Sequence, residues 1–171
     1  NSDLRTQPLN APYAWSMPDW PSQTQSTDKD SLEVWGYVEK SSYVSGESLS
    51  IHVSCSQPTY SVTITRDGLN PHLVYSQDGI TGRRHEIPEA SYATGCDWPV
   101  ELEIPIPNDW KSGFYIVVFS VDGGDKGRFE SDAYFVLRKP IQDRHGIALV
   151  LTTSTLVAYN DWGGANHYRG I

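Results

Sequence analysis

The sequence lacks the short motifs that mark many nucleotide-dependent and metal-dependent enzymes. It contains no Gly-rich phosphate-binding loop, no Cys-x-x-Cys pair and no zinc pattern of the His-x-x-x-His or His-Glu-x-x-His type. It has no Gly-x-Ser-x-Gly elbow either, which argues against the serine nucleophile of the α/β-hydrolases. The five histidines are scattered, and surface or loop positions are expected for most of them: His52, His72, His85, His145 and His167.

Positive charge and long apolar runs are scarce as well. The chain has 13 Lys and Arg against 21 Asp and Glu, which gives a net charge of −8. A phosphate-binding surface needs clustered basic side chains, so nucleic acid is not an expected partner. A polybasic contact with a membrane surface is not expected for the same reason. No apolar run approaches the roughly 20 residues of a membrane-spanning helix.

A leader peptide and abundant cysteine are also lacking. The chain starts at Asn1 without a basic segment followed by an apolar one, so we expect a processed protein or an internal fragment. Cys55 and Cys96 are the two cysteines. They suit either one disulfide in an exported protein or two thiols in a cytosolic one. The thiols are favoured, and with them a cytoplasmic location over a secreted or periplasmic one.

The first of three regions, residues 1–30, is rich in Pro, Ser, Thr and Gln and shows no periodicity. This composition predicts an extended arm. The arm carries Tyr13, Trp15, Met17 and Trp20 among its prolines. Because a solvated tail seldom holds so many aromatic rings, we expect the arm to lie across a neighbouring surface.

The second region, residues 31–140, predicts an antiparallel immunoglobulin-like β-sandwich. Short apolar segments alternate with turn residues, and no amphipathic helix interrupts them. In the segment from Leu49 to Cys55 every second residue is apolar, which predicts a half-buried strand with His52 on its polar face. Lys139-Pro140 predicts the end of the last strand.

The other predicted strands are Glu33–Glu39, Val62–Ile64, Leu73–Ser76, Val100–Ile104, Phe114–Val121 and Ala133–Leu137. Phe114–Val121 is apolar on both faces and therefore predicts a central strand. Turns are predicted at Asp67-Gly68, Asp78-Gly79 and Gly123-Gly124. The segment from Asp122 to Asp125 suits a hairpin turn better than a hard-cation site.

The third region, residues 141–171, predicts the first strand and active-site loop of an α/β domain. Ile147–Leu151 is an unbroken apolar run, which suits a strand covered on both faces of a parallel sheet. Open α/β sheets bind ligands beyond the carboxyl ends of their strands, and here the hydroxyl cluster Thr152–Thr155 follows directly. Since one strand cannot form a sheet, we expect another chain or further sequence to complete the domain.

Polar and aromatic residues then crowd the end of the sequence. Tyr159, Asn160, Trp162, His167 and Tyr168 are all potential ligands or hydrogen-bonding groups, and Gly163-Gly164 allows the chain to fold back. Placed beyond a parallel strand, they would line a crevice. The alternative is that Tyr159 and Trp162 are core aromatics and that Asn160 and its neighbour form a turn or helix N-cap.

This last segment resembles the N,N-dimethylformamidase large-subunit family. In that family a strand leads into a threonine-containing segment ending in Ala-Tyr-Asn, then Trp-Gly-Gly, then a tyrosine. The matching residues here are Tyr159-Asn160, Trp162-Gly163-Gly164 and Tyr168. Residues 46–54, 60–68 and 98–119 resemble the β-sandwich of the family.

The resemblance implies hydrolysis of a small amide at a mononuclear iron held by two tyrosines and one glutamate. It implies Tyr159 and Tyr168 as metal ligands, with the glutamate supplied by the remainder of the α/β domain. Ferric iron is a hard Lewis acid that suits phenolate oxygens, and its open positions would accept water and the amide carbonyl. We expect Asn160 and His167 to orient water or stabilise the oxyanion. A partner polypeptide and an oligomer are also expected.

Two alternatives remain open on residue types. An aromatic-rich β-sandwich is also suited to binding a carbohydrate or a partner protein, with Trp35, Trp98 and Trp110 as candidate stacking rings. A core or inter-strand role is favoured for each of the three. The chain would otherwise be a structural subunit whose arm wraps a neighbour. The segment after Pro140 favours the enzyme, because a self-contained binding sandwich has no use for an added strand and polar loop.

Overall fold

A computed structural model describes residues 25–89, 91–140, 150–152, 154–155, 158, 160 and 162. The chain divides into two compact units. The larger holds Ser26–Glu86 and Trp98–Gly146, and the smaller holds Asn1–Gln25, Ile87–Asp97 and Ile147–Ile171. The described residues of the smaller unit include the short helix α1 (Ser91–Thr94), and Ser154, Thr155 and Ala158 are helical as well. No helix in the described part of the chain is long and apolar enough to span a bilayer.

The larger unit is built from two β-sheets. Its strands are β1 (Val34–Val38), β2 (Ser42–Val44), β3 (Ser48–Cys55), β4 (Thr59–Arg66), β5 (His72–Thr81), β6 (Val100–Pro105), β7 (Gly113–Asp122) and β8 (Arg128–Arg138). The three-stranded sheet has the order β1-β3-β6, and the five-stranded sheet has the order β2-β8-β7-β4-β5. All pairs are antiparallel except β2 with β8, which is parallel. The predicted mainly β class is confirmed, with one sheet mixed rather than antiparallel.

The two sheets share one hydrophobic core, because alternate side chains of each strand point inward. Leu49 and Ile51 of β3 are 0% exposed, as are Val117 and Phe119 of β7. The sheets approach so closely at Gly36 that a Cβ there would lie 2.5 Å from Cζ of Phe119. Gly36 therefore makes room for the aromatic ring of the opposite sheet.

Most predicted strands are confirmed, and β7 lies in the middle of its sheet as predicted. The strand β2 was missed. The turn predicted at Asp78-Gly79 is wrong, because both residues lie inside β5. Tyr60 pairs with Ile80 while Val62 pairs with Gln77, so the two residues form a β-bulge, and Gly79 has a φ of +67°. The predicted turn at Gly123-Gly124 is confirmed, and a short 3-10 turn connects β7 to β8 there.

The polar face predicted for β3 is exposed at Ser48 and partly exposed at Ser50, but it is buried from His52 onward, which corrects the expectation of a half-buried strand for this half of β3. His52 is 6% exposed and Ser54 is 0% exposed, although both point away from the core. Side chains of Tyr37 and Trp98 pack on this second face. In this half of β3, alternate side chains therefore enter either the apolar core or a second, polar layer that is also buried.

Candidate functional site

The residues predicted to form the metal site lie largely outside the described part of the chain. Tyr159, His167 and Tyr168 all fall there, so their roles stay predictions. Asn160 is described and exposed, and its Oδ1 accepts a hydrogen bond from the backbone N–H of Trp162 at 3.1 Å. This contact is the turn that the alternative interpretation of Asn160 predicted.

The strand predicted at Ile147–Leu151 is described only at Val150 and Leu151, and neither of these belongs to a strand. The backbone N–H of Thr155 donates to the carbonyl oxygen of Thr152 at 3.0 Å. Ser154 and Thr155 are helical, so the chain adopts helical backbone within the hydroxyl cluster.

The described residues do bring charged and aromatic groups together elsewhere, on the face of the three-stranded sheet that points away from the core. We call this cluster the outer network. It consists of Ser26, Glu33, Trp35, Tyr37, Glu39, His52, Ser54, Arg83, Arg84, His85, Glu86, Trp98 and Glu101.

His52 bridges two segments of the network. Its Nδ1 lies 2.7 Å from the carbonyl oxygen of Trp98, and its Nε2 lies 2.6 Å from Oε2 of Glu39. A carbonyl and a carboxylate both accept, so both contacts are satisfied only when each ring nitrogen carries a proton. The ring stacks on Tyr37 with the centroids 4.5 Å apart and the planes 10° from parallel.

Trp98 is held at three atoms. Its backbone N–H donates to the Tyr37 hydroxyl at 3.1 Å, its carbonyl faces His52, and its Nε1 donates to the Glu86 carbonyl at 2.9 Å. The side chain is 4% exposed. Its indole is therefore held within the larger unit.

The other two tryptophans of the predicted stacking platform are also engaged inside the larger unit. Nε1 of Trp35 donates to Oε2 of Glu33 at 2.9 Å, and its ring meets Phe129 edge-on at 5.2 Å. Trp110 stacks on Tyr115 with the centroids 5.5 Å apart. These rings pack against protein and do not form a flat exposed platform.

A second His–Glu pair lies on the other side of Trp98. Nε2 of His85 is 2.8 Å from Oε1 of Glu101, and Arg83 approaches the same carboxylate at 3.5 Å. The backbone of His85 both donates to Oγ of Ser54 at 2.9 Å and accepts from it at 3.2 Å. Ser54 is thereby satisfied although it is fully buried.

The network also contains a buried ion pair. Nη1 of Arg84 lies 3.0 Å from Oε1 of Glu33, whose side chain is only 5% exposed. The two atoms are held by charge, because among the described residues neither makes a hydrogen bond of good geometry. The other carboxylate oxygen of Glu33 accepts from the backbone N–H of Ser26 at 2.9 Å.

The hydrogen bonds and ion pairs of the outer network hold backbone segments and side chains in place. Among the described residues no group of three or more His, Cys, Asp or Glu is arranged to hold a metal ion. His52 lies on the polar face of β3 as predicted, but it is buried there rather than solvated. The residues that contact His52 come from sequence positions far away, so no local signal marks them.

Buried phenol and thiol groups complete the inventory of titratable side chains. Burial raises the pKa of Tyr60, whose hydroxyl has no hydrogen-bond partner among the described residues. Both cysteines are free thiols. Burial raises the pKa of Cys55 and raises that of Cys96 to about 11, which favours the protonated thiol over the thiolate at neutral pH.

Residues 61–170 match a family model described as N,N-dimethylformamidase beta subunit-like, C-terminal. The match covers more than half of the chain and runs from β4 through the predicted site residues Tyr159, Asn160, His167 and Tyr168. No curated protein matches the sequence. Among solved structures, the chain is similar to the crystal structure of Spo0M, a sporulation control protein from Bacillus subtilis. The identity is 16%, the TM-score is 0.36, and the likeness covers 63% of this chain and 48% of that one, about half its length.

Proposed function

Because the chain belongs to the N,N-dimethylformamidase beta subunit-like family, we propose that it is part of an amidohydrolase acting on a small amide at a mononuclear iron. The observation that carries the proposal is the extent of the family match, which includes all four predicted site residues. The substrate is a compact amide without a peptide chain. The C–N bond is the bond that breaks, and water supplies the hydroxyl.

Tyr159 and Tyr168 would hold the iron through their phenolate oxygens. The donor set fits, because hard ferric iron prefers anionic oxygen ligands and two phenols lie within ten residues of each other in the sequence. Bound there, the metal would supply Lewis acidity to the amide carbonyl and to a water molecule. The glutamate ligand would come from the part of the α/β domain that this sequence does not include.

Asn160 and His167 would serve the same reaction through hydrogen bonds. Since Oδ1 of Asn160 accepts from Trp162, the donor left on this side chain is Nδ2. An amide donor is the kind of group that stabilises an oxyanion on the tetrahedral intermediate. His167 would take or return the proton of the attacking water.

The larger unit would act as the scaffold for this chemistry. We infer that it is an immunoglobulin-like β-sandwich, which is consistent with two sheets on one core and a mostly antiparallel order. The α/β domain would be completed by a second polypeptide or a continuation of the chain. The working enzyme would then be an oligomer.

The metal assignment is tested on native material, together with any polypeptide that copurifies. Tyr159→Phe and Tyr168→Phe should each lower the iron content and abolish the visible tyrosinate-to-iron band. Tyr92→Phe is the matched control, because Tyr92 is 42% exposed and lies in another segment of the chain. Unchanged iron and an unchanged band in both variants would remove the proposal.

The partner is tested separately by mass spectrometry of the native complex. A second polypeptide that supplies further α/β sequence is expected. A folded, iron-free monomer of this chain that binds carbohydrate or a partner protein would instead establish the alternative binding function.

A further inference from the structure

The chain leaves or re-enters the larger unit at Ser26, Glu86 and Trp98, among the described residues. All three belong to the outer network. Their backbone atoms are held by side chains that are themselves largely buried. The outer network therefore holds the chain at each described point where it leaves or re-enters the larger unit.

At the first exit the chain is held through both polar atoms of the Ser26 backbone. Its N–H donates to Oε2 of Glu33 at 2.9 Å, and its carbonyl accepts from Nη2 of Arg84 at 2.6 Å. The Ser26 hydroxyl also accepts from Ser31 at 2.9 Å. The Glu33–Arg84 ion pair thus places one donor and one acceptor around a single peptide segment.

At the second exit Trp98 ties the departing and returning segments to each other. Its indole N–H donates to the carbonyl of Glu86, the last residue before the chain leaves the larger unit. Its own backbone is fixed by Tyr37 and by His52. Glu39 holds the far side of the His52 ring.

The two exits are linked by consecutive residues. Arg84 serves the first exit, Glu86 serves the second, and His85 between them is fixed by Glu101 and Ser54. Because His85 is fixed between them, a displacement of Arg84 would strain the contacts of Glu86, and the reverse.

We propose that the outer network is a two-part clamp that fixes the directions in which the chain leaves the larger unit. The first part consists of Glu33 and Arg84, which hold Ser26. The second part consists of Trp98, which holds Glu86, and of His52 with its partners Tyr37 and Glu39, which hold Trp98.

The second part is tested by amide hydrogen exchange on the full chain, with Trp98→Phe compared with Trp110→Phe. Both substitutions replace an indole with a phenyl ring, but Trp110 packs on Tyr115 outside the clamp. One net hydrogen bond is worth about 1 kcal/mol, so exchange at residues 83–86 and 98–101 should rise about fivefold in Trp98→Phe only. Unchanged exchange there, or an equal rise in β7 and β8, overturns the clamp.

The His52 bridge is tested by amide hydrogen exchange in His52→Gln, which removes the ring that joins Glu39 to the Trp98 carbonyl. Exchange at residues 98–101 should rise in this variant. His72→Gln is the control, because His72 is exposed on the outermost strand β5. No difference between the two variants contradicts the bridge.

The first part is tested with Arg84→Lys, which keeps the positive charge beside Glu33. A lysine cannot reach both the carboxylate and the Ser26 carbonyl, because it lacks the planar fork of arginine. Exchange at residues 26–31 should therefore rise while residues 98–101 keep their protection. Unchanged exchange at 26–31 overturns this part. None of these readouts depends on iron or amide hydrolysis, so the clamp and the proposed enzyme stand or fail separately.

Discussion

From His52 onward β3 is buried on both faces, but its two faces are buried in different ways. Leu49 and Ile51 enter an apolar core that accepts side chains by volume. His52 and Ser54 enter a polar layer in which each nitrogen and oxygen has a named partner. The inner face should therefore respond to lost volume, and the outer face to the particular atom that is left unpaired.

The largest effect is expected on the inner face, from Phe119→Ala. Phe119 is 0% exposed in the central strand β7. Removing its ring leaves a cavity beside Gly36, and truncation of a buried phenylalanine costs about 3–5 kcal/mol. Urea unfolding should show a lower midpoint with little change in slope.

Gly36→Ala provides the control for this packing. Alone it should destabilise by about 1–3 kcal/mol, because the added Cβ meets the Phe119 ring. In the Phe119→Ala background the same methyl group fills part of the cavity, so the double variant should be more stable than Phe119→Ala. A double variant that is less stable would contradict this account of the core.

On the outer face, Arg84→Gln should reduce the free energy of unfolding by about 3 kcal/mol, because Glu33 is left as an uncompensated buried charge. Adding Glu33→Gln should recover most of the loss, since no charge then remains buried. Denaturant unfolding of the wild type, the two single variants and the double variant measures the coupling. Strictly additive effects would show that the pair does not act as a pair.

The burial of the inner face of β3 could be predicted from the sequence, but the burial of its outer face could not. The alternation from Leu49 to Cys55 is local, and it predicted β3 with its buried side. The burial of His52 depends on Trp98, which lies 46 residues further along the chain. Likewise β2 has only three residues and is fixed by pairing with distant β8, while Asp78-Gly79 has turn-forming residues yet forms a bulge.

For the candidate site, the sequence predicted the family but not the contacts that the site residues make. The Tyr-Asn and Trp-Gly-Gly segments carried the resemblance, and the family match includes them. The hydrogen bond from Trp162 to Asn160 fits a turn, which the residue types allowed as an alternative. Tyr159 and Tyr168 lie outside the described residues, so their roles stay predictions.

A smaller difference in stability is expected between two variants that each lose one phenol hydroxyl, Tyr60→Phe in the core and Tyr37→Phe in the outer network. Tyr60→Phe removes a buried hydroxyl that has no partner among the described residues, so stability should stay the same or rise by up to about 1 kcal/mol. Tyr37→Phe removes the acceptor of the Trp98 N–H and should cost about 1 kcal/mol. Thermal unfolding of both variants makes the comparison. An equal loss in the two would mean that the Tyr60 hydroxyl has a partner, such as an ordered water.

The smallest effect is expected from Glu47→Gln, at the partly exposed turn after β2. The backbone N–H of Val44 donates to Oε2 of Glu47 at 2.7 Å, and this bond lowers the pKa of the carboxyl from its ordinary value of 4.5. Lys40, 3.5 Å away, contributes less. Because the folded pKa lies below the unfolded one, the stabilisation is present above the unfolded pKa and is lost as pH falls through the folded pKa.

Glu47→Gln should therefore be less stable than the wild type at pH 7, and the two curves should converge in acid. Lys40→Met is the control that separates the backbone hydrogen bond from the ion pair. If the hydrogen bond dominates, Lys40→Met keeps most of the pH dependence, because the Val44 N–H still favours the ionised carboxylate. Loss of the pH dependence in Lys40→Met would assign it to the ion pair instead. The stability of this turn would then depend on an ion pair screened by solvent, unlike the buried contacts of β3.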